Sequence, residues 1–496
     1  CKFAYTLRIR TMTAQASPIP AFDNTDPTSI YDYSQRLIGK SLHDLFGDKV
    51  LEHTRKGKGG MGQMVEELFF NYSINSKREA DFEAAKLELK CTPLLSDGHQ
   101  SYRIKERLVC TMIDYFSLVE TPFETSHLLA KCRLMLLLFY LHEAGKKIYD
   151  LEFIFRVLWE LPEKDLLQIK HDYETIASKV RNGEAHLLSE GDTLYLGACR
   201  KGQKGDSPQP QPFSEIRAKK RAFSLKPAYM RYVLSHVLDT PDHSFSNLKS
   251  TAPTLQLVTQ EDLRHSNFEQ IIIDRFKPYL GLNYTEICQR LDMAPYQSKN
   301  KYADISGLIA SAGKSKRISK SDEFIKSGII MKTIRVNSNE TIKESMSFKN
   351  IDYQEIFDND SWTESELYEI FTSRFMFVVF KQKQDATITI PNNQTGELVT
   401  ENAYILDNVF FWTMPPSELK IAEEYWKNIR QNVLSNNIGL NAFWKISDNS
   451  LFHVRPKATC KAQKAPNPNG GLCDKYCYWF NAQYIKQIID NNTTHA

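Results

Sequence analysis

Two carboxylates and a lysine lie close together near residue 85 of this 496-residue chain, in a pattern suited to phosphate chemistry. Asp81 is followed by six residues, then Glu88, Leu89 and Lys90, within ADFEAAKLELKCT. The segment 86–94 alternates Leu87, Leu89 and Cys91 with Lys86, Glu88 and Lys90, which predicts a strand. On a strand Glu88 and Lys90 share a face, because side chains repeat with period two, and the preceding turn brings Asp81 beside them. Two carboxylates offer hard oxygen ligands to a cation such as Mg²⁺. A cation there stabilises charge on a phosphate and acidifies a bound water, and the lysine orients that water or the phosphate. Alone the pattern is weak, since alternating charge along a strand is more often a solvated face.

The elements around the trio add weight. Upstream, RKGKGGMGQMVEE at 55–67 sets glycines and three basic residues ahead of a helix, which suits close approach of backbone to phosphate. It is not a P-loop, because the GK[ST] ending is missing. Met61, Met64, Val65, Leu68 and Phe69 recur at helical spacing. Glu66 falls at the edge of that apolar face and could add a third carboxylate; the plainer reading is a surface glutamate beside Glu67. LMLLLFYL at 134–141 fits a strand buried on both faces of a helix-covered sheet. Residues 148–182 read as one helix. The mixture predicts an α/β fold.

The length predicts more than one domain, and an ordered set of short repeats predicts two related ones. KERLVCTMIDY at 105–115 matches KESMSFKNIDY at 343–353, and CRLMLLLFY at 132–140 matches SRFMFVVFK at 373–381. LIGKSLHDL at 37–45 echoes YLGLNYTEI at 279–287. We therefore expect a poorly ordered arm at 1–36 (with Met12 a possible start), a first domain at 37–235, a linker at 236–262 and a second domain at 263–496.

With 63 Lys and Arg against 60 Asp and Glu, the chain is nearly neutral, which argues against coating nucleic acid by bulk charge. The charge is nevertheless clustered. Residues 200–226 hold eight Lys/Arg against Asp206 and Glu215, and 455–475 hold five against Asp474. Such loops mark a phosphate-binding cleft, although a solvated basic loop is the commoner case. No apolar run is long enough to span a bilayer. Nine scattered cysteines suggest reduced thiols and a cytoplasmic setting. Cys460, Cys473 and Cys477 could suggest zinc, but a fourth ligand is not evident.

Taken together, KGKGGMGQMVEE, D-x6-E-L-K and ETSHLLAK resemble the MutH family of endonucleases, which includes a mismatch-repair nicking enzyme and type II restriction enzymes that cut at GATC. The order KERL, IDY, RAFSLK, ESMSF and HVRPKA is similar to the two-domain restriction enzymes of that group, and the likeness covers about residues 37–490. It implies a restriction-endonuclease-like mixed sheet flanked by helices, duplicated, with Mg²⁺-dependent hydrolysis of double-stranded DNA. By resemblance Asp81, Glu88 and Glu66 would be the metal carboxylates, Lys90 the catalytic lysine and Lys131 an auxiliary lysine. Lys58 would contact DNA, and Glu106 would approach an adenine. Arg455, Lys457 and Trp479 would read DNA in the second half, with Lys201, Phe223 and Lys226 as first-half equivalents.

The second half reads as a degenerate copy. SDEFIKSGIIMKTIRV at 321–336 aligns Glu323 with Asp81, Lys332 with Lys90 and Ile330 with Glu88; Ile309 falls near the place of Glu66. Isoleucine cannot bind a cation, so this half is expected to bind DNA and act as an allosteric or tethering module. The expected enzyme is a type II restriction endonuclease, binding two DNA sites per chain, dimerising on DNA and paired with a cognate methyltransferase. A strand-nicking repair enzyme and a non-catalytic DNA-binding protein are the alternatives.

Overall fold

The computed structural model describes residues 22–53, 60–72, 79–96, 101–201, 208–248, 255–342, 344–392, 395–439, 441–457 and 463–493. The first half opens with helices α1 (Pro27–Ser34), α2 (Leu42–Phe46) and α3 (Gly60–Met64). Strands β1 (Glu88–Ser96), β2 (Tyr102–Ile104) and β3 (Leu108–Met112) follow, then α4 (Tyr115–Glu120) and α5 (His127–Cys132). Next come β4 (Leu134–Leu141), β5 (Phe153–Glu160), the long helix α6 (Glu163–Arg181) and β6 (Leu196–Arg200). The hairpin β7 (Gln209–Gln211) and β8 (Ser214–Ala218), β9 (Arg221–Leu225), α7 (Pro227–Ser235) and β10 (Ser244–Ser246) complete it.

These build a five-stranded mixed sheet in the order β10-β5-β4-β1-β2, and a three-stranded sheet β3-β9-β6. β1 runs parallel to β4, with Glu88 opposite Met135 and Lys90 opposite Leu137. Both faces of β4 are covered, as its apolar run predicts. Leu136 and Leu138 pack with Ile30, Met64 and Phe69 of the N-terminal helices, while Met135 and Leu137 pack on the other face with Ile169 of α6.

The second half runs through α8 (Gln260–His265), α9 (Phe268–Phe276), α10 (Tyr284–Arg290), α11 (Lys301–Ala310) and α12 (Asp322–Ser327). It continues with β11 (Ile330–Val336), β12 (Met346–Asn350), α13 (Tyr353–Asp358), α14 (Glu366–Phe371), β13 (Phe375–Pro391) and β14 (Leu398–Trp412). Then come α15 (Pro416–Leu434), β15 (Phe452–Pro456), β16 (Lys464–Pro466), β17 (Leu472–Asp474), β18 (Tyr476–Phe480) and α16 (Ala482–Thr493).

The same local solutions recur in the two halves. β11 is parallel to β13 with Ile330 opposite Phe375, just as β1 is to β4. Asp114 and Asp352 cap α4 and α13, and Ser126 and Ser365 cap α5 and α14. Gly39 and Gly281 both sit at positive φ, 75° and 77°. Their N–H groups make matching 2.8 Å bonds, to Phe153 O and Leu406 O. A side chain at either would strain that turn.

Three expectations are corrected. Residues 148–182 are not one helix: FIFRVLWE is strand β5, rich in aromatic and β-branched residues, and Pro162 separates it from α6. Of the expected arm, residues 1–21, including Met12, lie outside the described residues. Residues 27–34 are helix, with Asp26 as its cap and Ile30 fully buried. The expected linker contains β10, which joins the edge of the first sheet beside β5, and the start of α8, which packs on α6.

The halves share one apolar cluster, in which Phe155 and Tyr229 lie with Ile272, Phe324 and Met376. A buried ion pair joins them: Lys326 Nζ lies 2.9 Å from Asp165 Oδ1. Among the described residues no helix is long and apolar enough to cross a membrane. Cys91, Cys110, Cys132, Cys199, Cys288, Cys473 and Cys477 are all unpaired thiols.

Candidate active site

A small hairpin brings the trio together. Phe82 and Leu87 exchange backbone hydrogen bonds of 2.9 and 3.2 Å, with Lys86 in the left-handed region at the turn. Asp81 and Glu88 flank this hairpin and therefore meet. Asp81 N donates to Glu88 Oε2 at 3.2 Å, and Leu89 N donates to Asp81 Oδ2 at 3.0 Å. Glu88 is 1% exposed.

Two lysines hold the carboxylates. Lys90 Nζ donates to Glu88 Oε1 at 2.6 Å. Lys131, from the last turn of α5, reaches both acids: its Nζ lies 3.0 Å from Glu88 Oε2 and 3.5 Å from Asp81 Oδ1. Burial pushes the Glu88 carboxyl up despite the lysines. Burial alone would pull Lys90 down, but Glu88 and Asp81 outweigh it and hold the ammonium above its usual value.

Glu66 lies in a π-type turn, Val65–Phe69, that continues α3. Such turns are rare and recur at functional sites. Neighbouring Glu67 meets His53 Nδ1 at 3.2 Å, whereas Glu66 feels the trio. Burial, then the charges of Asp81 and Glu88, push its pKa up to about 7. Three acids against two lysines leave negative charge in a half-buried pocket, and the donors are hard oxygens, which fits a divalent cation. Among the described residues no three His, Cys, Asp or Glu side chains stand close enough together to hold a metal, and the two acids that meet are Asp81 and Glu88.

The other predicted positions divide. Lys58 lies outside the described residues. Glu106 occupies the bend before β3, with Lys105 Nζ 3.8 Å from its carboxylate. Lys201 follows β6, and its N–H donates to Lys220 O. Arg455 and Lys457 are exposed and lie over the Trp479 ring, 5.4 and 5.9 Å from its centroid.

Phe223 and Lys226 are corrected: neither is placed to touch DNA. Phe223 is 4% exposed and stacks on Tyr173 at 5.4 Å. Lys226 is buried, and its Nζ donates to Thr193 O. Burial pulls its pKa down to about 8 against the attraction of Asp172. Strand register explains the misassignment. Leu225 and Phe480 hold equivalent places opposite Leu196 and Phe452, so Trp479 corresponds to Ser224 and Arg455 to buried Cys199. Lys457 does correspond to Lys201: its N–H bonds to Lys475 O as that of Lys201 bonds to Lys220 O.

In the second half Ile330 and Lys332 stand in register where Glu88 and Lys90 stand in the first. Ile370, fifth after its cap, replaces Lys131. Glu323 does not do the work of Asp81. Its carboxylate accepts from Leu257 N and Val258 N and pairs with Lys164 Nζ at 2.6 Å. Sequence alone missed the company of Lys332: its Nζ donates to Ser347 O at 2.9 Å, and Lys457 Nζ donates to Ser347 Oγ at 3.0 Å. Of the cysteines set aside as zinc ligands, Cys477 Sγ bonds to Phe348 O and Cys473 Sγ to Ala465 O, and Cys460 is outside the described residues.

The family model for the DNA mismatch repair enzyme MutH matches residues 70–172, a span that includes Asp81, Glu88, Lys90 and Lys131. The type II restriction enzyme Sau3AI of Staphylococcus aureus is 27% identical over 93% of this chain and 98% of its own. The DNA mismatch repair protein MutH of an Enterobacter species is 25% identical over 33% of this chain and 71% of its own. A stretch of the chain around its buried carboxylates thus matches the MutH family model, within a sequence similar along nearly its whole length to a type II restriction enzyme.

Proposed function

We propose that this protein is a type II restriction endonuclease, a site-specific enzyme that hydrolyses double-stranded DNA, with GATC as its site and Mg²⁺ as its cofactor. The observation that carries the reading is the joining of Asp81, Glu88 and Lys90 at one buried point, with Lys131 bridging both acids. Asp81 and Glu88 would hold the cation, with Glu66 adding the charge of a third carboxylate beside them. When bound, the cation supplies charge stabilisation at the phosphate and a more acidic water.

The chain's own residues do the rest. Lys131 fixes the spacing of the two carboxylates and offsets their repulsion. Lys90, kept as an ammonium by Glu88, orients the attacking water against the scissile phosphate. Water adds to phosphorus and the 3′ oxygen leaves, giving 5′-phosphate and 3′-hydroxyl ends. Exposed Arg455 suits bidentate contact with guanine O6 and N7, and Lys457 suits base or phosphate contact.

One active centre per chain cuts one strand at a time, so two chains meet on DNA, or one acts twice; DNA-induced dimerisation is the reading we adopt. The second half binds another copy of the site, and a methyltransferase of the same specificity protects host DNA. Digestion of a GATC-containing plasmid with Mg²⁺ tests this: linear product with defined ends is expected. A product that stops at nicked circles would favour the repair-type reading that the mismatch-repair relative represents.

A further inference from the structure

Where the first half gathers carboxylates, the second gathers cations. Lys332 occupies the place of Lys90, with Ile330 in that of Glu88 and Ile370 in that of Lys131. Around Lys332 the described surroundings are Ser347 O, the Phe348 ring at 4.9 Å, the charge of Lys457 and the Cys477 thiol. No carboxylate is recorded as its partner among the described residues. Glu323, the one acid that alignment brings near, is committed to Lys164 and the backbone of residues 257 and 258. Burial, and then Lys457, pull the Lys332 pKa down to about 8, so two like charges are held together without a counter-ion.

The neighbouring strands extend the patch. Trp479 lies between Ser347 and His453 in strand register, and Arg455 and Lys457 lie over its ring. His453 stacks parallel to the same ring at 5.9 Å. The Trp479 Nε1 donor is buried with no acceptor. Unopposed cations beside an unused N–H donor describe a site for an anion.

We propose that the second half grips a backbone phosphate of duplex DNA directly on Lys332 and Lys457, without a metal ion, at the position where the first half has its carboxylates. The proposal rests on the reading of the protein as a DNA endonuclease and adds how its second half binds. Loss of the acids is then a gain of function. A carboxylate pair needs a cation before it tolerates a phosphate, whereas a lysine pair accepts one at once. The second half can therefore hold DNA under conditions in which the first half cannot cut.

The test uses the full chain with Glu88→Ala and a duplex oligonucleotide carrying one GATC, titrated in EDTA at several salt concentrations. Binding without metal is expected. Lys332→Met is expected to weaken it about tenfold and to lower the slope of log affinity on log salt by about one, the signature of one lost phosphate contact. Ile330→Glu, which returns a carboxylate to the patch, should weaken it at least as much in EDTA. Lys332→Arg should restore most of the affinity, separating charge from folding. Binding that appears only with Mg²⁺ or Ca²⁺ would overturn the proposal and leave the endonuclease reading standing. Unchanged affinity and slope in Lys332→Met would overturn it too. A chain that binds no duplex DNA with or without metal would overturn both.

Discussion

Glu323, which the sequence aligns with Asp81, places its carboxylate 2.6 Å from the ammonium of Lys164 in the other half of the chain. Both side chains are largely buried, and Glu323 also accepts from Leu257 N and Val258 N. An acid that would otherwise face a cation has become a joint between the halves. Removing it leaves a buried ammonium and two backbone donors unpaired. Glu323→Ala should cost about 3–5 kcal/mol, read as a lower midpoint in denaturant. A loss below about 1 kcal/mol would show that the joint contributes little.

The first-half trio predicts a clean separation of cutting from binding. Lys90→Ala should lower the cleavage rate by about 10²–10⁴-fold, the usual contribution of a group that positions a proton-transferring water. Glu88→Ala should abolish measurable cutting, and EDTA should do the same to the wild type. Duplex binding should survive in each case. The check is plasmid cleavage beside an affinity titration; a Glu88→Ala protein that still cuts would remove the site assignment.

Restoring one acid should not create a second active centre. In the double variant Glu88→Ala with Ile330→Glu, the new carboxylate has no partner equivalent to Asp81, because Glu323 points to Lys164, and no lysine equivalent to Lys131, because Ile370 stands there. We expect no nicking of supercoiled plasmid with Mg²⁺. Nicking near the wild-type rate would mean that Glu323 can swing back to the strand.

Metal-free binding by the second half should depend on pH. Lys332 titrates near 8, facing Lys457 and the Cys477 thiol, which burial keeps above its ordinary value. A phosphate prefers the charged lysine, so affinity is highest below pH 8 and falls above it, by at most about tenfold per pH unit. Lys332→Arg should flatten the profile between pH 7 and 9, since arginine keeps its proton. A wild-type profile already flat over that range would place the phosphate away from Lys332.

Much of the site was legible in the chain itself. The six-residue gap between Asp81 and Glu88 holds the residues of one tight hairpin, and period two sets Lys90 beside Glu88, so short-range rules suffice. Lys131 is fifty residues from Asp81 in sequence, and only the parallel pairing of β1 with β4 sets the end of α5 over the trio. Phe223 and Lys226 were misread for a related reason. Their chemistry suits DNA, but strand register turns Phe223 into the core, and Lys226, just past β9 at the start of α7, is buried against Thr193 O.

The sequence by itself determined that the chain repeats, that one copy keeps the acids and the other does not, and where its basic loops fall. Those features are written in residue order and residue type, which folding cannot change. Only the tertiary structure decided what each charged group faces: that Glu66 feels two other acids, that Glu323 closes a joint, and that Lys332 and Lys457 share Ser347. A charge acts through distance and burial, and those are set by which strands pair and which faces are covered.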